Sequence, residues 1–389
     1  MPRNRLESRS WDILAGLLWF CQADPLEEAC EAFRKLSGRQ NIFFAPSGRC
    51  AIAQVLAALP QKEVVIPACT CGVVKTAAEI AGKRIIYVDL AKGAVNATSA
   101  EYAEAAKPGR ILLATHLFGI PTDIEAICEL AKARNCVVVE DAVAAFGGQR
   151  NGRPLGTFGD VGVFSFQYAK RLSAFGGAAI IVNNEVLDAS AISSTRVAKQ
   201  HRIMPFRDLV KGLVHNLATS SLIYGKLTMP LLSRKDHHDR TAEDTQEQTA
   251  PINGPAYTRE FHPYQAELVL RLLKRIDRTR ERIAQLVAIY LESFSKTEVI
   301  SVVPSDCDEA GLLRFPIAIA GRDRDEVLDL GLERGLFLSG IYQLLPDKSD
   351  HTRFPNAVWA ARNLVLLPLF SGLSPQSAAR LAREVSRLV

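Results

Sequence analysis

Between about residues 50 and 185 the chain alternates short, continuously apolar runs of strand length with helical patterns. The runs are Val64-Val65-Ile66, Arg84-Ile85-Ile86-Tyr87-Val88, Ile111-Leu112-Leu113-Ala114, Val137-Val138-Val139, Val161-Gly162-Val163-Phe164 and Ala178-Ala179-Ile180-Ile181-Val182, and stretches such as Asp123 to Arg134 have helical character between them. A strand covered on both faces has no solvent side to serve, so it need not alternate polar and apolar residues. Such strands separated by helices predict a mainly parallel sheet with helices on both faces. Ligands of such sheets bind beyond the carboxyl ends of the strands. Asp141, Ser165 and His116-Leu117-Phe118-Gly119 each follow a predicted strand at that end.

At 389 residues the chain exceeds one ordinary core, so a large domain and a smaller one are expected. The division read from the pattern is an N-terminal helical segment over 1–40, a large domain over 41–260, and a long helix with a small domain over 261–389. An atypical insertion near 195–258 breaks the rhythm. Arg196 to Arg207 is basic, Asp208 to Leu232 is a helical apolar pattern, and Ser233 to Pro255 is polar and reads as an exposed loop. From Phe261 to Lys296 apolar residues recur at helical spacing, predicting one long helix. Strand-like Ile300-Ser301-Val302-Val303 and Leu313-Arg314-Phe315-Pro316-Ile317, with helices at 322–335 and 374–388, then suggest a small α+β domain. No internal repeat is present.

Composition narrows the function classes. The chain is 48% hydrophobic and 23% charged, as an ordinary globular protein is. No run of 18 apolar residues occurs, and Met1-Pro2-Arg3-Asn4-Arg5 leads into charged residues, so neither a membrane span nor a signal peptide is expected. Eight scattered cysteines suit a reducing cytoplasm. Cys69-Thr70-Cys71 has no partner pair at ligand spacing, so no metal is expected. Much of the net charge of +5 comes from Arg271, Lys274, Arg275, Arg278, Arg280 and Arg282 in one helical segment, which reads as a solvated face, and no nucleic-acid partner is expected.

The chemistry gathers at the strand ends. Lys170 lies in Phe164-Ser165-Phe166-Gln167-Tyr168-Ala169-Lys170, ahead of Gly176-Gly177, and the acidic pair Glu140-Asp141 closes the run Val137-Val138-Val139. A pyridoxal 5'-phosphate (PLP) site needs an amine to hold the cofactor aldehyde as a Schiff base. It also needs a carboxylate to keep the pyridine nitrogen protonated and donors around the phosphate. Lys170, Asp141 and Ser165 are the candidates. A lone lysine after a strand is ordinarily a solvated loop residue, Asp141 would also serve as a helix N-cap, and Ser165 as a satisfied strand-end hydroxyl.

The residues then resemble the DegT-type family of PLP-dependent sugar aminotransferases, within the fold type I aspartate aminotransferase superfamily. The resemblance rests on an ordered series: Ser47-Gly48, Val65-Ile66-Pro67, His116-Leu117-Phe118-Gly119-Ile120-Pro121, Glu140-Asp141-Ala142, Gly156-Thr157-Phe158-Gly159-Asp160, Phe164-Ser165-Phe166 with Lys170, Gly176-Gly177, His262-Pro263-Tyr264-Gln265-Ala266, Arg314-Phe315-Pro316 and Leu367-Pro368. It implies a mainly parallel seven-stranded sheet flanked by helices in the large domain, with a smaller α+β C-terminal domain. It also implies that Lys170 and Asp141 are catalytic and that Gly48, Arg49, Cys71, Asp141, Ala144, Ser165 and Lys170 surround the cofactor. His116, Arg259 and Tyr342 are the matching candidates for the substrate side, although a histidine after a strand and a tyrosine in a small domain are equally packing residues. Arg259 would come from a second subunit of a homodimer.

Three positions depart from the family pattern. Ala144 stands where many members have Gln or His, Cys71 where many have an aromatic residue over the ring, and Arg49 where a small Ser-Gly-Thr turn is usual. Lysine rather than histidine at 170 implies transamination rather than dehydration of a sugar. The function the resemblance implies is amino transfer from an amino acid, glutamate, to a keto group of a nucleotide-linked sugar, in surface polysaccharide or natural-product biosynthesis. A cyclitol or other non-nucleotide keto acceptor, and a PLP-binding regulatory protein without turnover, are the alternatives.

Overall fold

The computed structural model describes residues 5–21, 24–184, 192, 204–220, 223–224, 260–295, 297, 299–301 and 307–388. All six apolar runs are strands. With β1 (Asn41–Ala45) they are β2 (Glu63–Pro67), β3 (Arg84–Val88), β4 (Arg110–Thr115), β5 (Val137–Asp141), β6 (Val161–Ser165) and β7 (Ala178–Val182). They form a seven-stranded sheet ordered β1-β7-β6-β5-β4-β2-β3. Only β7 runs against its neighbours, pairing antiparallel with both β1 and β6. The other six therefore point their carboxyl ends to one edge. β1 escapes the apolar reading because only Ile42 and Ala45 of its five residues are buried.

Helices cover the sheet as the continuous apolar strands require. α3 (Gly48–Ala58) and α4 (Gly72–Ile80) pack Ile52, Leu56, Val74 and Ala77 against Val64, Ile66, Ile111 and Leu113 on one face. On the other, α5 (Ile124–Arg134) packs Ile124 and Ile127 against Val65, Leu112 and Val138. Before the sheet stand α1 (Ser10–Ala15) and α2 (Pro25–Ser37), the latter started by Asp24, whose carboxylate accepts from the Leu26 and Glu27 N–H groups. α6 (Met204–Ala218) lies in the 195–258 stretch and begins before the expected Asp208. Ser233 to Pro255 and Arg259 lie outside the described residues.

The expected single helix over 261–296 is two: α7 (Pro263–Leu273) and α8 (Ile276–Phe294). Apolar periodicity continues across the break, so spacing cannot reveal it. At the break Arg275 adopts φ −119° and ψ 6° and sends its guanidinium to both carboxylate oxygens of Asp12, at 3.0 and 2.8 Å. The basic run is likewise only partly a solvated face, because Arg271 pairs with the buried Glu267 and Arg280 with Asp308. Downstream, β8 (Val299–Ser301), β9 (Arg314–Ile319), β10 (Ser339–Gly340) and β11 (Val365–Pro368) form an antiparallel sheet ordered β8-β9-β11-β10. α9 (Arg324–Glu333), α10 (Pro355–Asn363) and α11 (Pro375–Ser386) share its core with α8.

Candidate active site

Successive residues of a strand point to opposite faces, and at the end of β5 this separates two buried carboxylates. Glu140, fully buried, accepts from the N–H groups of Gly156 (2.8 Å), Phe158 (2.5 Å) and Gly159 (2.6 Å) and from Nε2 of His116 (3.0 Å). The three N–H donors hold the 156–159 turn against the sheet, which explains the Gly-Thr-Phe-Gly motif. Asp141, 1% exposed, accepts among the described residues only from the Val143 N–H, at 3.3 Å, and faces the cleft with Lys170. Burial pushes its carboxyl above the usual carboxylate range, while the Val143 N–H and the Lys170 charge pull it back.

Lys170 follows β6 on a compact loop. The loop closes through Phe166, whose carbonyl accepts from the Ala174 N–H at 2.8 Å and whose N–H donates to Gly177 O at 2.9 Å. Gly177 has φ +90°, and a Cβ there would lie 2.4 Å from the Phe261 ring, so only glycine closes this turn. The His262–Gln265 motif buttresses the same loop from behind. Gln265 accepts from the His262 N–H at 3.0 Å and donates to Ala174 O at 3.2 Å. Next to the lysine, buried Arg171 pairs with Glu7 at 3.1 Å and donates to Leu312 O. Glu7 also accepts from the Ser371 N–H at 3.1 Å, and the Ser8 hydroxyl donates to Ser173 O. The N-terminal segment thus ties the lysine loop to the small domain.

Gly48, Arg49, Cys71, Asp141, Ser165 and Lys170 come together on one cleft at the carboxyl edge of the sheet. Ile52, Val73, Val74, Val143 and Gln167 complete its wall. None of these five stood out in the sequence, although Ile52, Val73 and Val74 follow from the inner faces of α3 and α4. The cleft suits an anionic, planar ligand. α3 opens on Ser47, whose hydroxyl accepts from the Cys50 N–H at 3.2 Å, and presents the N–H groups of Gly48 and Arg49 at its positive end. A Cβ at Gly48 would stand 3.1 Å from Ser165 Cβ and 3.2 Å from its Oγ, so glycine keeps this cradle open beside the serine hydroxyl.

Three expected site residues are not on this wall. Ala144 is half-buried outside it, because the turn after Asp141 aims Val143 at the cleft instead. His116 is fully buried, and with Nδ1 accepting from the Thr122 N–H at 3.2 Å its proton belongs on Nε2, facing Glu140, so neither nitrogen is left for a ligand. Tyr342 stacks on Phe118 with centroids 5.5 Å apart and planes 10° from parallel. Arg259 lies outside the described residues. Among the described residues no group of three His, Cys, Asp or Glu side chains is placed to hold a metal ion.

Comparison with known proteins agrees with this geometry. A family model described as the DegT/DnrJ/EryC1/StrS aminotransferase family matches residues 18–386. GDP-perosamine synthase of Escherichia coli O157:H7 is 32% identical over 126 residues, 32% of this chain and 35% of that protein. UDP-N-acetyl-3-dehydro-alpha-D-glucosamine 3-aminotransferase of Acidithiobacillus ferrooxidans is 34% identical over 151 residues, 38% of this chain and 41% of that protein. A pleiotropic regulatory protein of Geobacillus stearothermophilus is 29% identical over 213 residues, 54% of each chain. The chain thus spans between about a third and about half the length of the curated relatives it matches. Among solved structures, the PLP form of a putative sugar aminotransferase of Streptococcus pneumoniae superposes with a TM-score of 0.75 at 16% identity, covering 100% of this chain and 98% of that one. The E. coli GDP-4-keto-6-deoxy-D-mannose-3-dehydratase with bound hydrated PLP gives 0.75 at 17%, covering 99% and 100%. Both share the fold.

Proposed function

The chain belongs to the DegT/DnrJ/EryC1/StrS aminotransferase family, and from that premise we propose that it uses PLP to transfer an amino group from glutamate to a keto group of a nucleotide-linked sugar. The observation that carries the reading is the meeting of Lys170, Asp141 and Ser165 in one cleft under the first turn of α3. When bound, PLP supplies an aldehyde carbon that accepts an amino group and a ring that takes up electrons from the substrate carbanion. Lys170 would hold the aldehyde carbon and its free amine would carry a proton at the substrate α-carbon. Asp141 would hold the proton on the ring nitrogen by its charge. Ser165, the N–H groups of Gly48 and Arg49, and the Arg49 side chain would hold the phosphate, while Ile52, Val73 and Val143 would keep water from the ring.

Two of the matched relatives carry names that refer to nucleotide sugars or their amino products, which supports a nucleotide-linked acceptor. Cys71 on the cleft wall, where many members place an aromatic residue, favours as a second reading a cyclitol or other non-nucleotide keto acceptor. Retained Lys170 and Asp141 argue against a PLP-binding protein without turnover. The working unit is a homodimer in this reading, with Arg259 supplied to the site by the second subunit. Glutamate added to the yellow holoenzyme should convert its absorbance to that of pyridoxamine phosphate. A panel of keto-sugar nucleotides should then return an amino sugar by mass. No change with any amino donor removes the aminotransferase reading, and turnover only on non-nucleotide ketones selects the second acceptor class.

A further inference from the structure

Eight large apolar side chains are exposed among the described residues, and seven of them sit on two packed elements: Trp11, Leu14 and Leu18 on α1 and the turn after it, and Phe206, Val210, Val214 and Leu217 on α6. The α6 set recurs at helical spacing, while Leu209, Gly212 and Asn216 are turned inward. Gly212 lets the two elements close, since a Cβ there would lie 2.8 Å from the Ile13 side chain. Five of the seven are more than half exposed (Trp11 73%, Phe206 69%, Leu217 60%, Val214 58%, Leu18 51%), which is unusual for large apolar residues on a water-facing helix pair.

The charges around this face that no partner answers among the described residues are cationic. Arg5, Arg9 and Lys211 border it and make no ion pair among the described residues. The acids of the same segment are withdrawn, Glu7 to Arg171 and Asp12 to Arg275. In sequence α6 adds Arg207 and Asp208. Where the stripe ends at Leu217, a cavity of about 650 Å³ opens between the N-terminal segment, α6 and the small domain. Arg5 and Arg9 line it together with Ser10, Asn216 and Ser220, and so does Glu7, whose carboxylate is engaged by Arg171 and the Ser371 N–H.

We propose that this face docks on a bilayer containing anionic phospholipid. α1 and α6 lie in the interface plane with Trp11 and Phe206 at headgroup depth, and lipid phosphates sit between Arg5 and Arg9. The contact is peripheral, since no helix among the described residues is long and apolar enough to cross a membrane. A second copy of the chain fits the face less well. A two-fold contact would set Arg5, Arg9 and Lys211 against the same cations, with Glu7 and Asp12 unavailable to answer them.

Co-sedimentation of full-length holoenzyme with phosphatidylcholine vesicles, with and without phosphatidylglycerol, tests this. Binding should require phosphatidylglycerol and weaken as salt rises. The Arg5→Glu/Arg9→Glu pair and the Phe206→Ser/Leu217→Ser pair should each lower vesicle partitioning by at least about tenfold, and both should leave the glutamate half-reaction unchanged, which also shows that they fold. Glycerol phosphate at matched ionic strength should not displace the protein. Equal binding to neutral vesicles, or none to either, overturns the proposal. So does displacement by glycerol phosphate, which would mark a free-anion site, or a dimer that falls to monomer in the apolar variant, which would make the face a subunit contact.

Discussion

The two sides of the last turn of β5 carry the same chemical group and do opposite things. Glu140 is saturated by four donors that belong to the 156–159 turn and to His116. Asp141 is as deeply buried but keeps one weak donor and an open side toward Lys170. A buried carboxylate with every lone pair answered is a staple. One that is desolvated and under-bonded can take a further positive partner beside Lys170. The pyridinium of PLP is such a partner, and the comparison can be broken at several points.

The largest effect is expected beside Asp141, at Lys170. Lys170→Ala should lose turnover altogether while still binding PLP non-covalently, because Asp141 and the α3 cradle remain. Borohydride treatment of the parent followed by peptide mapping should place the label on Lys170, and a label on any other lysine would move the site. On the staple side, Glu140→Ala leaves three buried N–H groups and His116 without their acceptor and should cost about 3–5 kcal/mol of stability. Denaturant unfolding that shifts by less than about 1 kcal/mol would show that the turn holds without it.

Asp141→Asn should separate the two roles. An amide cannot hold the ring-nitrogen proton by charge, so turnover should fall roughly a hundredfold, about 3 kcal/mol. Stability without cofactor should stay level or rise, because a desolvated carboxylate has been removed. Near-parental turnover would mean that another carboxylate does the work. A smaller change is expected from Glu7→Gln, which weakens the tie between Arg171 and Ser371. It should cost about 1–2 kcal/mol of thermal stability and slow borohydride trapping at Lys170. An unchanged trapping rate would reduce this tie to a packing feature.

The pH dependence is the finest test. The Asp141 carboxyl is raised by burial in the cofactor-free fold, so over the window from the ordinary carboxylate value up to the raised one the folded state binds more protons than the unfolded. Its contribution to stability is therefore present at low pH and lost as pH rises through the raised value. PLP should reverse the trend by supplying the positive partner. Thermal unfolding scanned across that window with and without PLP should show the difference in the parent and not in Asp141→Asn.

What the sequence by itself determined is what local burial and single residues can express. Six apolar runs became strands because a doubly covered strand must be apolar along its length, and Asp141 and Ser165 at strand ends, with Lys170 on the loop after β6, were legible from the same runs. The tertiary structure alone decided which residue answers which. Glu7 meets Arg171 across 164 residues and Asp12 meets Arg275 across 263, and periodicity records a preference for burial without naming a partner. The same reason hides the helix break at Arg275, the choice of Val143 over Ala144 at the cleft, and the withdrawal of His116 and Tyr342 into packing. Each is set by contacts between segments that no spacing along the chain brings together, and only the folded chain pays the cost of placing them.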